Sequence, residues 1–186
     1  MRLHRACSEE LIKKIHDLYM EAFPKEERKP FEMILKLQKE GRAAVYAIEE
    51  SDNLFVGLGI FVLYNDLALL DYFAIEKNYR GRGMGSAAIQ LLQNQYPDKR
   101  FFLEIESTCD DLKENTAEKE VRMRRKKFYM KNGMRPLDFL IKLFGVEMEM
   151  LVYGETVTFE EYFELYGSIL PGQMLTNVQY LGDIRE

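Results

Sequence analysis

At 186 residues the chain is long enough for one domain with a sizeable core and too short for two comfortable ones. Hydrophobic content of 47% and charged content of 31% are those of a soluble globular protein, and a formal net charge of −5 excludes bulk attraction to nucleic acid or an anionic membrane. No run approaches the ~18 apolar residues of a membrane span, Met1 to Arg5 lack a signal-peptide core, and Cys7 and Cys109 have no metal-ligand spacing, so a reduced, cytoplasmic, metal-free protein is expected.

Residues 2–7 read as a short extended segment. Ser8 then offers an N-cap to a helix with the stripe Leu11, Ile15, Leu18 and Ala22, widened by Ile12 and Tyr19. Pro24 and Pro30 bracket a charged loop, Lys25 to Lys29. A second helix carries Phe31, Ile34, Leu35 and Gln38 on one side and stops at Gly41. Ala43 to Glu49, Leu54 to Tyr64 and Leu67 to Ile75 are rich in β-branched and aromatic residues, and the short turns between them predict an antiparallel meander. After Gly85 a helix is expected from Ser86 to about Gln95, with Met84, Ala88, Leu91 and Leu92 facing inward. Pro97 and Asp98 end it, and Phe101 to Glu106 is again a strand.

Asp110 to Ala117 is polar and acidic and reads as a loop. A helix follows from about Glu118 to Lys131 and stops at Asn132-Gly133. Two more strands, Pro136 to Phe144 and Glu147 to Tyr153, hinge at Gly145. Thr158-Phe159-Glu160-Glu161 is a capping-box pattern that opens a last short helix, and residues beyond Pro171 show no clear period. The order predicts a mixed α/β domain with a mostly antiparallel sheet. One β-α-β unit, Leu67 to Glu106, requires a parallel pair within it.

The run Arg80-Gly81-Arg82-Gly83-Met84-Gly85 stands between a strand and a helix. Glycines there let backbone N–H groups approach a ligand, the helix N-terminus adds partial positive charge, and two arginines flank it, so the site suits phosphate oxygens. A P-loop would need Gly-Lys-Ser/Thr, which is absent. A dinucleotide fold would need alternating βαβ units and a glycine where Ser86 stands, although Glu104 lies near the offset of a ribose-binding acid.

The stretch Phe73-Ala74-Ile75-Glu76-Lys77-Asn78-Tyr79-Arg80-Gly81-Arg82-Gly83-Met84-Gly85-Ser86 resembles the acetyl-CoA signature of the GNAT superfamily of N-acetyltransferases, Arg/Gln-x-x-Gly-x-Gly/Ala. A second block, Phe128-Tyr129-Met130-Lys131-Asn132-Gly133, resembles that family's later motif, and the element order over residues 2 to about 153 is similar to the family fold. The resemblance implies a GNAT domain over 1–153 with a splayed parallel pair, and leaves 154–186 as an extension that packs on the domain or on a partner subunit. It implies that Phe73, Ala74 and Ile75 present backbone to the pantetheine arm and that Gly81 through Ser86 form the pyrophosphate turn.

Direct attack of an amine on the thioester follows from the resemblance. An alkylammonium of pKa near ~10.4 must first lose a proton, at a cost of roughly 4–5 kcal/mol at pH 7. Asp71, Glu104 and Glu106 are the candidate bases, with Glu104 at a position where some members carry one; the acid of the histone-acetylating branch aligns with Leu69. Tyr129 matches the tyrosine that protonates the leaving thiolate, and backbone N–H groups near Phe73 to Ile75 would meet the oxyanion. Where many members have a cofactor-binding asparagine, this chain has Arg122, within a basic helix face. The expected partners are acetyl-CoA and a primary amine, on a monomer or homodimer. A CoA-binding sensor that has lost catalysis is the competing reading, and a nucleotide-binding oxidoreductase a third.

Overall fold

Three consecutive runs of β-formers with two-residue to five-residue connections pair as the meander that the sequence predicts. The computed structural model describes residues 1–108 and 116–183 and divides the chain into two compact units, Met1–Asp98 and Lys99–Glu186. In the first unit β1 (Arg2–Arg5), β2 (Ala43–Glu49), β3 (Phe55–Tyr64) and β4 (Leu67–Ile75) lie in that order, each antiparallel to its neighbour. Helix α1 (Glu9–Ala22) begins at Ser8, whose side chain accepts from the Leu11 N–H, and α2 (Phe31–Lys39) ends before Gly41 at φ +75°.

Period-2 alternation decides which face each helix covers. Val45, Ala47, Leu58, Ile60, Tyr72 and Ala74 point to one side and form a single buried cluster with Leu11, Ile15, Leu18, Tyr19, Phe31 and Ile34 of α1 and α2. On the other side, α3 (Met84–Gln93) packs Leu92 against Gly59, where an added Cβ would lie only 2.7 Å from a Leu92 methyl. The buried positions of α3 are Ala88, Ile89, Leu92 and Gln93. Met84 and Leu91, expected inward, are only half-buried, because the buried stripe is centred between Ile89 and Leu92 and at 100° per residue both fall at its edge.

The second unit has β5 (Arg100–Glu106), β7 (Val146–Tyr153), β6 (Arg135–Leu143) and β8 (Val178–Asp183) side by side, again antiparallel. The β6–β7 hairpin turns on Phe144 (φ +47°) and Gly145 (φ +90°). Helix α4 (Thr116–Lys131) precedes this hairpin; α5 (Phe159–Ile169) follows it, with the full capping box at Thr158 and Glu161 and with Tyr162, Leu165, Tyr166 and Ile169 buried. Strand β8 has no counterpart in the sequence reading: of its six residues only Val178 is buried, so no alternation marks it. Residues 110–115 of the expected acidic loop, and Cys109, lie outside the described residues. The fold is mixed α/β, with mostly antiparallel strands flanked by helices; the two strands of the expected parallel pair, β4 and β5, fall one in each unit.

Two buried phenols hold the loop between α1 and α2. Tyr72 donates to the Glu27 carbonyl at 2.8 Å and accepts from the Lys29 N–H at 3.0 Å, and Tyr19 donates to the Lys29 carbonyl at 3.0 Å. Burial pushes the Tyr19 hydroxyl up to about 12 and, with the Asp71 charge next to it, pushes Tyr72 higher still. Both groups therefore keep their protons through neutral pH. Their raised folded values mean that stability holds below the unfolded tyrosine pKa near ~10 and is lost as pH rises through the folded ones. Tyr72→Phe removes both of its bonds to this loop, and is expected to cost about 1–3 kcal/mol in urea unfolding and to expose Lys25 to Lys29 to limited proteolysis. An unchanged midpoint and cleavage pattern would mean that the phenol does not hold this loop.

Candidate active site

Strand β4 leads through a short 3-10 turn, Lys77–Tyr79, into the glycine run. Gly81 and Gly83 have φ of +77° and +78°, and no atom stands within 4 Å of an added Cβ at either. They are glycines for the left-handed path, which costs other residues roughly 1–2 kcal/mol, and not for lack of room. Gly83 is the N-cap of α3 and supplies no side-chain cap, unlike Ser8 and Thr158 at α1 and α5. The first N–H groups of α3, those of Met84, Gly85 and Ser86, therefore have neither an intrahelical acceptor nor a side-chain cap. Arg80 folds back, its Nε donating to the Ile75 carbonyl at 2.8 Å, and Arg82 is exposed. The arrangement presents N–H donors, helix-dipole charge and two guanidinium groups to an anion.

On β4, Phe73 pairs with Gly59, Ala74 with Leu58 and Ile75 with Gly57. An added Cβ at Gly57 would stand 2.5 Å from the Ala74 carbonyl oxygen, so this glycine permits a close approach of backbone to backbone. The register slips between Ile60 and Phe61, which leaves Asp71 as the extra, bulged residue of β4. Its carboxylate is not free: Lys29 Nζ lies 2.6 and 2.7 Å from its two oxygens.

In the second unit, Tyr129 lies near the C-terminal end of α4. That end is fixed by Gly133 at φ +85°, by the Met134 N–H donating to the Tyr129 carbonyl at 3.2 Å, and by Asn132 donating to the Phe128 carbonyl at 2.8 Å. The Tyr129 ring is buried edge-on to Phe128, and its hydroxyl has no hydrogen-bond partner among the described residues. Burial pushes that hydroxyl up to about 12, against a smaller opposing pull from Arg125. Glu104 of β5 accepts from the Tyr166 hydroxyl of α5 at 3.0 and 3.2 Å. Glu106 pairs with Arg122, so the residue at the asparagine position is half-buried in an ion pair and is not part of an open basic face.

The buried Glu149 is a further carboxylate with no signal in the sequence. Burial alone would raise its pKa, but Lys126 and the Thr108 hydroxyl and N–H, both at 2.6 Å, hold it below the ordinary value. It fastens α4 to β7 and to the end of β5. The predicted cofactor residues, Phe73 to Ile75 and Arg80 to Ser86, thus fall on one strand, the turn that follows it and the first turn of α3, all within the first unit. Tyr129 and Glu104 belong to the second. Among the described residues no group of His, Cys, Asp or Glu could hold a metal ion, and no helix is long and apolar enough to cross a membrane.

The family model for the acetyltransferase (GNAT) family matches residues 12–118, more than half of the chain. The protein belongs to that family and is an acyltransferase. Among curated proteins none matches it by sequence. Among solved structures, it is similar to a putative GNAT-family acetyltransferase from Bacteroides thetaiotaomicron, with 19% identity, a TM-score of 0.73, and coverage of 90% of this chain and 95% of that one. An aminoglycoside 6′-N-acetyltransferase complexed with coenzyme A gives 16% identity and a TM-score of 0.63, covering 82% and 96%. A variant of the spermidine N-acetyltransferase SpeG from Vibrio cholerae gives 13% and 0.62, covering 82% and 94%. At these identities the structures share the fold.

The two kinds of glycine make different demands. Gly83→Ala is expected to cost about 1 kcal/mol, the price of a left-handed alanine in open space. Gly57→Ala must move β3 from β4 and is expected to cost about 2–3 kcal/mol or more in denaturant unfolding. A milder Gly57→Ala than Gly83→Ala would contradict the close approach at Ala74.

Proposed function

We propose that the protein transfers the acetyl group of acetyl-CoA to a primary amine by direct attack. The observation that carries this reading is the uncapped N-terminus of α3 behind two left-handed glycines, flanked by Arg80 and Arg82. The space above Gly81 and Gly83 is open, so the donor set fits a pyrophosphate: backbone N–H groups from Gly81 to Ser86 would hold it, with Arg80 and Arg82 adding charge. Backbone of Phe73, Ala74 and Ile75 would hold the amide-bearing pantetheine as an added strand, and its N–H groups would meet the developing oxyanion. Acetyl-CoA supplies an activated thioester carbonyl. The solved aminoglycoside acetyltransferase bound to coenzyme A supports the same cofactor here.

The acceptor's ammonium gives up a proton before attack, and Glu104 is the residue assigned to take it, directly or through water. The hydrogen bond from Tyr166 orients that carboxylate. Tyr129 then gives its hydroxyl proton to the departing thiolate. With its pKa raised to about 12, Tyr129 is fully protonated at working pH, as an acid must be. Donation to a thiolate of pKa ~8.5 is uphill by roughly 5 kcal/mol in the free protein. The charge of the bound cofactor and the concerted departure of sulfur must offset that gap. A catalytically silent CoA-binding sensor is the second reading, favoured by the partners already held by Asp71, Glu104 and Glu106.

Tyr129→Phe separates the two, because it removes one hydroxyl and leaves the ring packed. Acetyl-CoA affinity should change little, while kcat with amine acceptors should fall by roughly 10²–10⁴-fold without a matching rise in KM. Normal turnover by the folded variant would make Tyr129 a core aromatic, and wild-type protein that binds CoA but acetylates no amine would leave the sensor.

A further inference from the structure

The Lys29–Asp71 pair is more than the loop requires. Three neutral hydrogen bonds from Tyr19 and Tyr72 already fix the backbone of Glu27 and Lys29. Yet an ammonium and a carboxylate are also withdrawn from water there, with side chains only 16% and 7% exposed. Burial of two charges is repaid only by excellent geometry, and an apolar pair would serve a purely structural role as well. The geometry is that of an ammonium receptor: both Asp71 oxygens lie within hydrogen-bond distance, and the Tyr72 ring is 5.5 Å from Nζ. Asp71 is also the bulged residue of β4, a device that re-aims a side chain next to a site.

Its position on β4 gives the receptor a use, and here the inference rests on the acetyltransferase reading. With pyrophosphate on the turn beyond the C-terminal end of β4, the pantetheine runs back from Ile75 toward Phe73. The thioester end then lies on the Phe73 side, and Asp71 stands two residues farther along, about 7 Å at the rise of a strand. We infer that Asp71 and Tyr72 form the ammonium subsite for the acceptor, and that Lys29 occupies it in the free protein as an internal substitute which the acceptor displaces. The acceptor class is then a cationic primary amine on an alkyl stem. Its apparent affinity is reduced by the fraction of time that Lys29 fills the site.

Lys29→Met keeps the stem and the backbone bonds and vacates the cation site. Without cofactor, butylammonium should raise the melting temperature of Lys29→Met by about 3 °C at ten times its Kd. It should move the wild type by no more than about 1 °C, and sodium at equal ionic strength should move neither protein. The double variant Lys29→Met/Asp71→Asn should lose the response. With acetyl-CoA, KM of Lys29→Met for alkylamines should fall at least about ten-fold below that of the wild type. If Lys29→Met does not fold, Lys29→Gln, whose amide still donates to Asp71, is read the same way with a smaller response. Amine turnover with neither a stability response nor a lower KM would overturn the inference and leave the acetyltransferase reading intact. A butylammonium response without acetylation of any amine would overturn that reading and leave the cation site.

Discussion

An α-helix cannot satisfy its own first N–H groups, and α3 is built so that no side chain of its own N-cap does so either. Gly83 at the cap offers only backbone, and the left-handed turn at Gly81 and Gly83 leaves the approach to the first turn open. The rest of the first unit holds that helix end in place. Gly59 admits Leu92 against β3, Gly57 brings β3 hard against Ala74, and Arg80 is tied to the carbonyl at which β4 ends. Strand end, turn and helix start are thereby fixed relative to one another without any large side chain in the way. This is the condition for backbone to act as the ligand-binding surface.

Elsewhere polar burial is handled by pairing. Tyr72 serves one donor and one acceptor of the α1–α2 loop, Glu149 is enclosed by Lys126 and Thr108, Glu104 is met by Tyr166, and Arg100 takes both oxygens of Glu161. Each such group is satisfied at a distance of dozens of residues in sequence, and loss of one partner would strand the other. Tyr129 departs from this pattern. It is a buried phenol with a raised pKa and a hydroxyl that makes no bond among the described residues. Burial thus keeps the phenol protonated at neutral pH and at the same time makes it a weaker acid than a free tyrosine, so any role in proton transfer depends on what a bound ligand brings to it.

Local signals were legible in the sequence to within a residue or two. Ser8, the Thr158–Glu161 box, Gly41 and Gly133 mark helix ends because capping chemistry is local, and the three meander strands follow from β-branched and aromatic content. The glycine run was legible for the same reason, although α3 begins at Met84 and takes Gly85 and Ser86 into its first turn. Pairings between distant residues were not legible. Nothing near Lys29 points to Asp71, and nothing near Arg122 to Glu106, because a charged residue in a loop or on a helix looks the same whether or not a partner meets it. Strand β8 escaped because an edge strand with one buried side chain needs no hydrophobic alternation.

Calorimetric titration of the wild-type protein with CoA and with pantetheine tests the backbone anion site most directly, since the two ligands share the amide arm and differ in the pyrophosphate and nucleotide. If the N–H groups from Gly81 to Ser86 bind pyrophosphate, two charge-assisted bonds alone are worth about 3 kcal/mol, so CoA should bind at least ~100-fold more tightly than pantetheine. Inorganic pyrophosphate should compete with CoA and not with pantetheine. Equal affinities for the two ligands, or CoA binding that is indifferent to pyrophosphate, would contradict the account.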